Sequence, residues 1–231
     1  MGSEMCIRDR DHIVGELMKT LEQNGLAKNT LIIFTSDNGP EVPTTIAMRR
    51  DHQHDGARPW RGVKRDQWEG GHRVPFIARW PGKIPAGRTA AQTICLTDLL
   101  ATTAAITEFK LPNNAGEDSF NLLPALLGGN EPVREYTLHQ TISLALAIRH
   151  GDWKYLDHRG SGGNNYARTG EWGMKQFALP EKAPSAPGQL YNLKTDPSET
   201  TNLYLEETER ALTLKAKLEE FKRTGRSAPN R

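Results

Sequence analysis

Thr30-Leu31-Ile32-Ile33-Phe34-Thr35-Ser36-Asp37-Asn38-Gly39-Pro40 is the stretch on which the fold turns. Its first six residues are a continuous apolar, β-branched run of strand length. Such a run suits a strand buried on both faces, as in a parallel sheet. Just upstream, Ile13, Val14, Leu17, Met18 and Leu21 recur at helical spacing, and Gly25 stands where a helix end favours positive φ. The pattern predicts an amphipathic helix over 11–24. Helix, short loop and buried strand form the αβ half of a βαβ unit, so the expected class is α/β. Ligands of such sheets gather beyond the carboxyl ends of the strands. Ser36 to Pro40 lie at that end.

Downstream, residues 36–73 read as one long polar loop rich in His, Arg, Asp, Gly and Trp, and structureless loops of that length usually carry function. A short strand is expected over 75–80, and a Pro/Gly turn cluster follows at 81–87. Thr97-Asp98 opens a helix through Leu99, Leu100, Ala104 and Ile106. Asp118-Ser119 is expected to cap a short helix over 122–127, stopped by Gly128-Gly129. From about Glu135 the pattern changes to short strands at 136–140, 144–150, 153–157 and 189–193. Gly151-Asp152 reads as a hairpin turn, and 158–187 as a Gly-, Asn- and Pro-rich loop. Ala211, Leu214, Leu218 and Phe221 mark a terminal amphipathic helix. This half reads as a small antiparallel sheet with a helix packed on it. The expected division is therefore 11–134 and 135–231.

The 231 residues hold 30 Lys plus Arg against 28 Asp plus Glu, a formal net charge of +2. That balance argues against a dedicated nucleic-acid binder. No apolar run approaches the roughly 18 residues of a membrane span. Two cysteines, Cys6 and Cys95, make neither a disulfide framework nor a zinc site. Residues 1–10 have no periodicity, no cap and no apolar h-region, and resemble a foreign leader spliced onto a protein cut upstream of Asp11.

Asp37-Asn38 offers a carboxylate and an amide oxygen side by side, a hard-oxygen corner for Ca²⁺ or Mg²⁺. Asp-Asn-Gly is equally common turn chemistry. Arg61-Gly62-Val63-Lys64 and Trp68-Glu69-Gly70-Gly71-His72-Arg73-Val74-Pro75 follow. Lys64 is a point cation suited to a tetrahedral oxyanion, and Gly70-Gly71 permits close backbone approach. A hard-oxygen pair and a loop cation together are what a sulfate or phosphate ester would need.

Thr35-Ser36-Asp37-Asn38-Gly39, Arg61-Gly62-x-Lys64 and Glu69-Gly70-Gly71-x-Arg73-Val74-Pro75 resemble motifs of the formylglycine-dependent sulfatases of the alkaline phosphatase superfamily. The likeness continues through Trp80-Pro81-Gly82, Asp98-Leu99-Leu100, Gly151-Asp152-Trp153-Lys154 and Leu190-Tyr191-Asn192-Leu193-x-x-Asp196-Pro197-x-Glu199-x-x-Asn202-Leu203. The resemblance implies an alkaline-phosphatase-like mixed sheet flanked by helices, plus a C-terminal subdomain. It implies a sulfuric ester hydrolase acting on a sulfated carbohydrate, in a periplasmic or secreted protein. Asp37 and Asn38 then look like metal ligands, usually for Ca²⁺, and Asp37 also like a group beside the nucleophile. Lys64 looks like the lysine that grips sulfate and steadies the leaving oxygen. Glu69, Gly70, Gly71 and Arg73 look architectural. His54 and Arg58 lie where relatives face the organic part of the substrate, and they are the expected sugar contacts, with a solvated loop as the alternative.

The family's C/S-x-P/A-x-R nucleophile motif, whose Cys or Ser becomes formylglycine, is absent from the sequence. Cys6 and Arg10 have its spacing, but Arg8 stands where Pro or Ala belongs. Cys95 has no Arg after it and reads as a buried thiol. The expectation is a C-terminal part of a sulfatase, inactive alone. A phosphodiesterase or phosphonate hydrolase of the same superfamily, and a non-catalytic carbohydrate-binding module, are the alternatives.

Overall fold

The computed structural model describes residues 2–230, with side chains from residue 7 onward, so the side chain of Cys6 lies outside the described residues. Helix α1 (Gly2–Gln23) runs through the stretch read as a leader and ends before Gly25, whose φ is +69°. Strand β1 (Ile32–Thr35) follows, then helices α2 (Val42–His52) and α3 (Glu69–His72) and strand β2 (Phe76–Arg79). Helices α4 (Leu99–Ile106) and α5 (Leu123–Leu126) lead to β3 (Tyr136–Gln140), β4 (Leu146–His150), β5 (Trp153–Leu156) and β6 (Gln189–Asn192). Helix α6 (Thr208–Thr224) closes the order.

Three expectations change. First, β1 pairs antiparallel with β2, Ile32 opposite Arg79 and Thr35 opposite Phe76, in a two-stranded sheet. All four β1 residues are half-buried rather than enclosed, because among the described residues β2 is the strand's one sheet neighbour. Second, the segment read as one loop contains α2. Glu41 caps it by accepting from Val42 N (3.0 Å), Pro43 fits the first turn, and Gln53 ends it at φ +51°. Only Thr45 and Ile46 are buried there, too few for a periodic signal. Third, Asp118 and Ser119 do not cap α5. Ser119 Oγ accepts from Ala101 N (2.8 Å) and Asp118 Oδ1 from Ser227 N (2.9 Å), while Asn121 Oδ1 accepts from Leu123 N (2.9 Å).

The C-terminal sheet has the order β3-β4-β5-β6, antiparallel throughout. Its alternation gives two covered faces. Ile148, Tyr155 and Leu190 pack against Ala211, Leu214 and Leu218 of α6. Ala147, Leu156 and Tyr191, one residue out of step, pack instead against Trp68. So the segment 61–73 roofs the second face of this sheet. The register then fixes which side chains meet it. Thr137, Arg149, Lys154 and Tyr191 form one cross-strand row, and His139, Ala147, Leu156 and Gln189 the next.

Candidate active site

The Asp37–Pro40 turn and the 61–73 segment are stitched backbone to backbone. Gly39 N donates to Gly71 O (2.9 Å) and Lys64 N to Pro40 O (3.0 Å). A Cβ at Gly39 would lie 1.9 Å from Gly70 O, so only glycine allows the approach. This is the physical content of the Asp-Asn-Gly and Glu-Gly-Gly motifs: the chains touch, and Lys64 is carried to the end of β1.

Asp37 is exposed and Asn38 half-buried. Asn38 Nδ2 donates to Gly39 O (2.9 Å), which engages the amide nitrogen and leaves Oδ1 as the free donor atom. Among the described residues, the one hydrogen bond to the Asp37 carboxylate is a long contact from Ser36 Oγ (3.4 Å). Two hard oxygens, little engaged and adjacent, fit a Ca²⁺ or Mg²⁺ ion. Lys64 Nζ sits 3.3 Å from Glu41 Oε2. Arg65 takes both oxygens of the same carboxylate (2.6 and 3.2 Å). The Arg65 guanidinium, with Lys64 behind it, holds Glu41 down to about 2. Lys64 therefore shares its counter-charge with an arginine, which leaves it part of its positive field. Glu41 and Arg65 were missed in the sequence because no spacing rule links them to Lys64.

His54 and Arg58 follow α2 on the surface. Arg58 Nε contacts Asp55 (3.3 Å), and its side chain is 81% exposed. Arg49 holds the same carboxylate at 2.6 Å. Among the described residues, neither the His54 nor the Arg58 side chain bonds to Asp37, Asn38 or Lys64. Trp68 is buried, and Trp60 lies under the Arg73 guanidinium at 4.4 Å. Cys95 is half-buried, and its N–H donates to Asp98 Oδ2 (2.8 Å).

The same 61–73 segment also contributes Glu69, His72 and Arg73 to a buried ionic cluster. Lys154 Nζ, fully buried, is 3.0 Å from Glu69 Oε1 and 3.1 Å from Glu199 Oε1. Glu199 Oε2 accepts from Glu69 N (2.6 Å). Arg73 and Arg149 reach Glu69 Oε2 at 3.2 and 3.4 Å. His72 stacks on His139 with ring centroids 3.8 Å apart, and His72 Nε2 is 3.0 Å from Lys154 Nζ. Ligand atoms of Glu69, His72 and His139 lie within 4.8 Å of one another. That trio does not serve as a metal centre as it stands, because the Lys154 ammonium already occupies its focus and would repel a second cation. His139, whose ring stacks on His72, also sits in this cluster. Lys154 and Glu199 were visible as motif letters, but their partnership joins residues far apart in the chain.

Burial shapes the protonation of the cluster. It lowers His139 to about 3 and His72 well below its ordinary value, so both rings are neutral. It raises Glu199 to about 7, against the pull of Lys154. Glu69 resists the same burial because Lys154 and the surrounding cations hold it low. The signs oppose each other. The histidines bind fewer protons folded than unfolded, so their contribution is lost as pH falls below 6.5. Glu199 binds its proton more tightly folded, so its contribution is full below 4.5 and fades as pH rises through about 7. Two histidines outweigh one glutamate in the acid range, so the cluster stabilises most near pH 6.5. Urea unfolding at several pH values should show an acid loss that shrinks in His72→Gln/His139→Gln. An acid arm identical in that variant would refute the assignment.

Residues 5–109 match the family model described as Sulfatase. An N-acetylgalactosamine-6-O-sulfatase of Bacteroides thetaiotaomicron is 35% identical over 215 residues, 92% of this chain and 40% of that protein. Arylsulfatase A of Homo sapiens is 35% identical over 202 residues, 85% of this chain and 38% of that one. A solved structure from work on the metabolism of multiple glycosaminoglycans by Bacteroides thetaiotaomicron superposes with a TM-score of 0.77 at 34% identity. It covers 92% of this chain and 42% of its own. The chain thus spans about 40% of the length of these relatives.

Proposed function

Since the chain belongs to the sulfatase family and has the mixed α/β architecture of its alkaline-phosphatase-like fold, we propose that it carries one wall of the active site of a sulfuric ester hydrolase. The reading rests on one observation. Asp37-Asn38 and Lys64 stand on two loops that are bonded to each other at the carboxyl end of β1. In this reading Asp37 and Asn38 hold a divalent cation, usually Ca²⁺ in the family. Such a cation, when bound, polarises a sulfate oxygen and favours the ionised form of a neighbouring nucleophile. Formylglycine, the family's nucleophile, has no matching motif in these residues and would come from outside them. Lys64 binds the sulfate and offsets the charge that grows on the ester oxygen. The Asp37 carboxylate stands ready to take a proton at that end of the strand. The relatives' names support a sulfated sugar as the substrate. In this reading the exposed His54 and Arg58 are the residues that meet it.

The exposed pair is expected to bind Ca²⁺ only weakly, since affinity rises with ligand number and charge. Calorimetry on the chain should give a dissociation constant no tighter than about 10⁻⁴ M, abolished by Asp37→Ala. Sub-micromolar binding that survives Asp37→Ala would place the cation elsewhere. The chain alone should not turn over an aryl sulfate, so catalysis is tested in a chimera whose upstream part comes from the Bacteroides relative. There His54→Ala should raise KM for a sugar sulfate and spare a simple aryl sulfate, which has no ring hydroxyls. Equal effects on both substrates would remove His54 from the sugar site.

A further inference from the structure

Strand β1 has β2 on one edge, and among the described residues no strand or backbone hydrogen bond meets its other edge. Its composition asks for more. Leu31-Ile32-Ile33-Phe34 is the continuous apolar run of a strand enclosed on both faces, yet all four residues of β1 are half-buried. The register places Ile32, Phe34, Ile77 and Arg79 on one face of the two-stranded sheet. Arg79 Nη2 donates to Glu22 Oε1 (2.9 Å), which anchors the C-terminal end of α1 at that face. Trp80 Nε1 adds a bond to Lys28 O (3.1 Å), in the turn after the helix. The face is open: Ile77 is 62% exposed. None of the described side chains of α1 is buried, and Ile13 and Leu17 of its apolar stripe are 65% and 48% exposed.

We propose that the free edge of β1 and the apolar stripe of α1 form a docking surface for the part of a sulfatase chain that these residues do not cover, and that this part adds a strand parallel to β1. Three observations carry the assignment. The first is the edge itself. Its backbone N–H and C=O groups are a ready template for strand addition. The second is composition. A run apolar on both faces belongs to a parallel strand covered on both sides. Parallel neighbours need a crossover, usually a helix laid on the sheet. Helix α1 stands just before β1, and laid on a widened sheet it would bury Ile13 and Leu17. The third is length. The chain spans about 40% of the relatives it matches, so a sulfatase holds ample further chain to cover the face. A second copy of this chain fits less well. A two-fold axis at the edge would set β1 antiparallel to its copy, the arrangement that suits a sheet with one face in water.

The proposal rests on family membership and not on the roles of Asp37, Asn38 or Lys64, so it is tested without turnover. Hydrogen exchange is measured on the isolated chain and on the chimera with the Bacteroides upstream part. The β1 amides that do not donate to β2 should exchange freely in the isolated chain and about 100-fold or more slowly in the chimera. Ile13→Gln/Leu17→Gln should leave the unfolding midpoint of the isolated chain near wild type and lower that of the chimera by several degrees. Equal exchange in the two proteins, or equal shifts of the midpoint, would overturn the proposal. Sedimentation of the isolated chain tests the other occupant. A dimer that protects the same amides as concentration rises would overturn the proposal in favour of a second copy. Should the chimera fail to fold, the isolated chain still decides. While folded it should bind the apolar dye ANS, and Ile13→Gln/Leu17→Gln should remove most of that fluorescence. Absence of dye binding, or a variant as fluorescent as wild type, would overturn the docking surface.

Discussion

Lys154→Met is expected to destabilise the fold by about 3–5 kcal/mol, the range for removing one partner of a buried ion pair. The ammonium is fully buried and touches Glu69 and Glu199 at 3.0 and 3.1 Å. Methionine fills most of the volume but leaves two carboxylates facing each other without the central cation. Arg73 and Arg149 still reach Glu69, but no other ion pair is described for Glu199. Glu199→Gln should be far milder. Burial already raises Glu199 to about 7, so near neutrality it is readily protonated, and an amide oxygen still accepts from Glu69 N. The double variant Lys154→Met/Glu199→Gln should recover part of the loss, a coupling visible in a double-mutant cycle. Urea midpoints at constant m-value supply the measurement. Lys154→Ala, which empties the space as well as the charge, tests the cluster's character. With the ammonium gone, Glu69, His72 and His139 become a three-ligand set of the kind zinc accepts. Added Zn²⁺ should therefore stabilise Lys154→Ala, whose small side chain leaves room for the ion, and leave the wild-type chain unchanged. A loss below about 1 kcal/mol would mean that the cluster is not ionised as described.

The contrast between the two halves of the chain shows what a sequence carries. Strands β3 to β6 were legible to within two residues at their ends, and helix α6 from its spacing, because each buries a face against neighbours present in this chain. Alternation and helical spacing record such local burial directly. What alternation could not tell is what covers the second face. Tyr191 and Leu156 need Trp68, more than 80 residues away, and no periodicity encodes that pairing. Strand β1 was legible as a strand, but its expected parallel, fully enclosed setting gave way to antiparallel pairing with β2. Helix α2 was hidden because Thr45 and Ile46 alone are buried on it. Asp37, Asn38 and Lys64 stood out by residue chemistry and then by motif resemblance, and their joining through Gly39–Gly71 and Lys64–Pro40 became clear only from backbone geometry. Glu41 and Arg65, which set the field at Lys64, left no signal, since an ion pair across two loops has no fixed spacing.

In the chimera, Lys64→Ala should lower kcat by about 100-fold or more and change KM much less. A contact that strengthens as charge moves onto the leaving oxygen acts on the transition state more than on the bound ester. Loss of such a contact therefore appears in kcat. The surroundings of Lys64 sharpen the expectation. Its Nζ lies 3.3 Å from Glu41, but Arg65 claims both oxygens of that carboxylate, so the lysine is steered rather than neutralised. Glu41→Gln should then act in the opposite sense on binding. It frees Lys64 and Arg65 together and should tighten sulfate, while turnover falls because the ammonium is no longer aimed. Lys64→Arg should restore only part of kcat, since a planar fork on a loop pinned at Pro40 O cannot take the place of a compact charge. A Lys64→Ala chimera with kcat near wild type would return the 61–73 segment to a purely architectural role, as the roof of the C-terminal sheet.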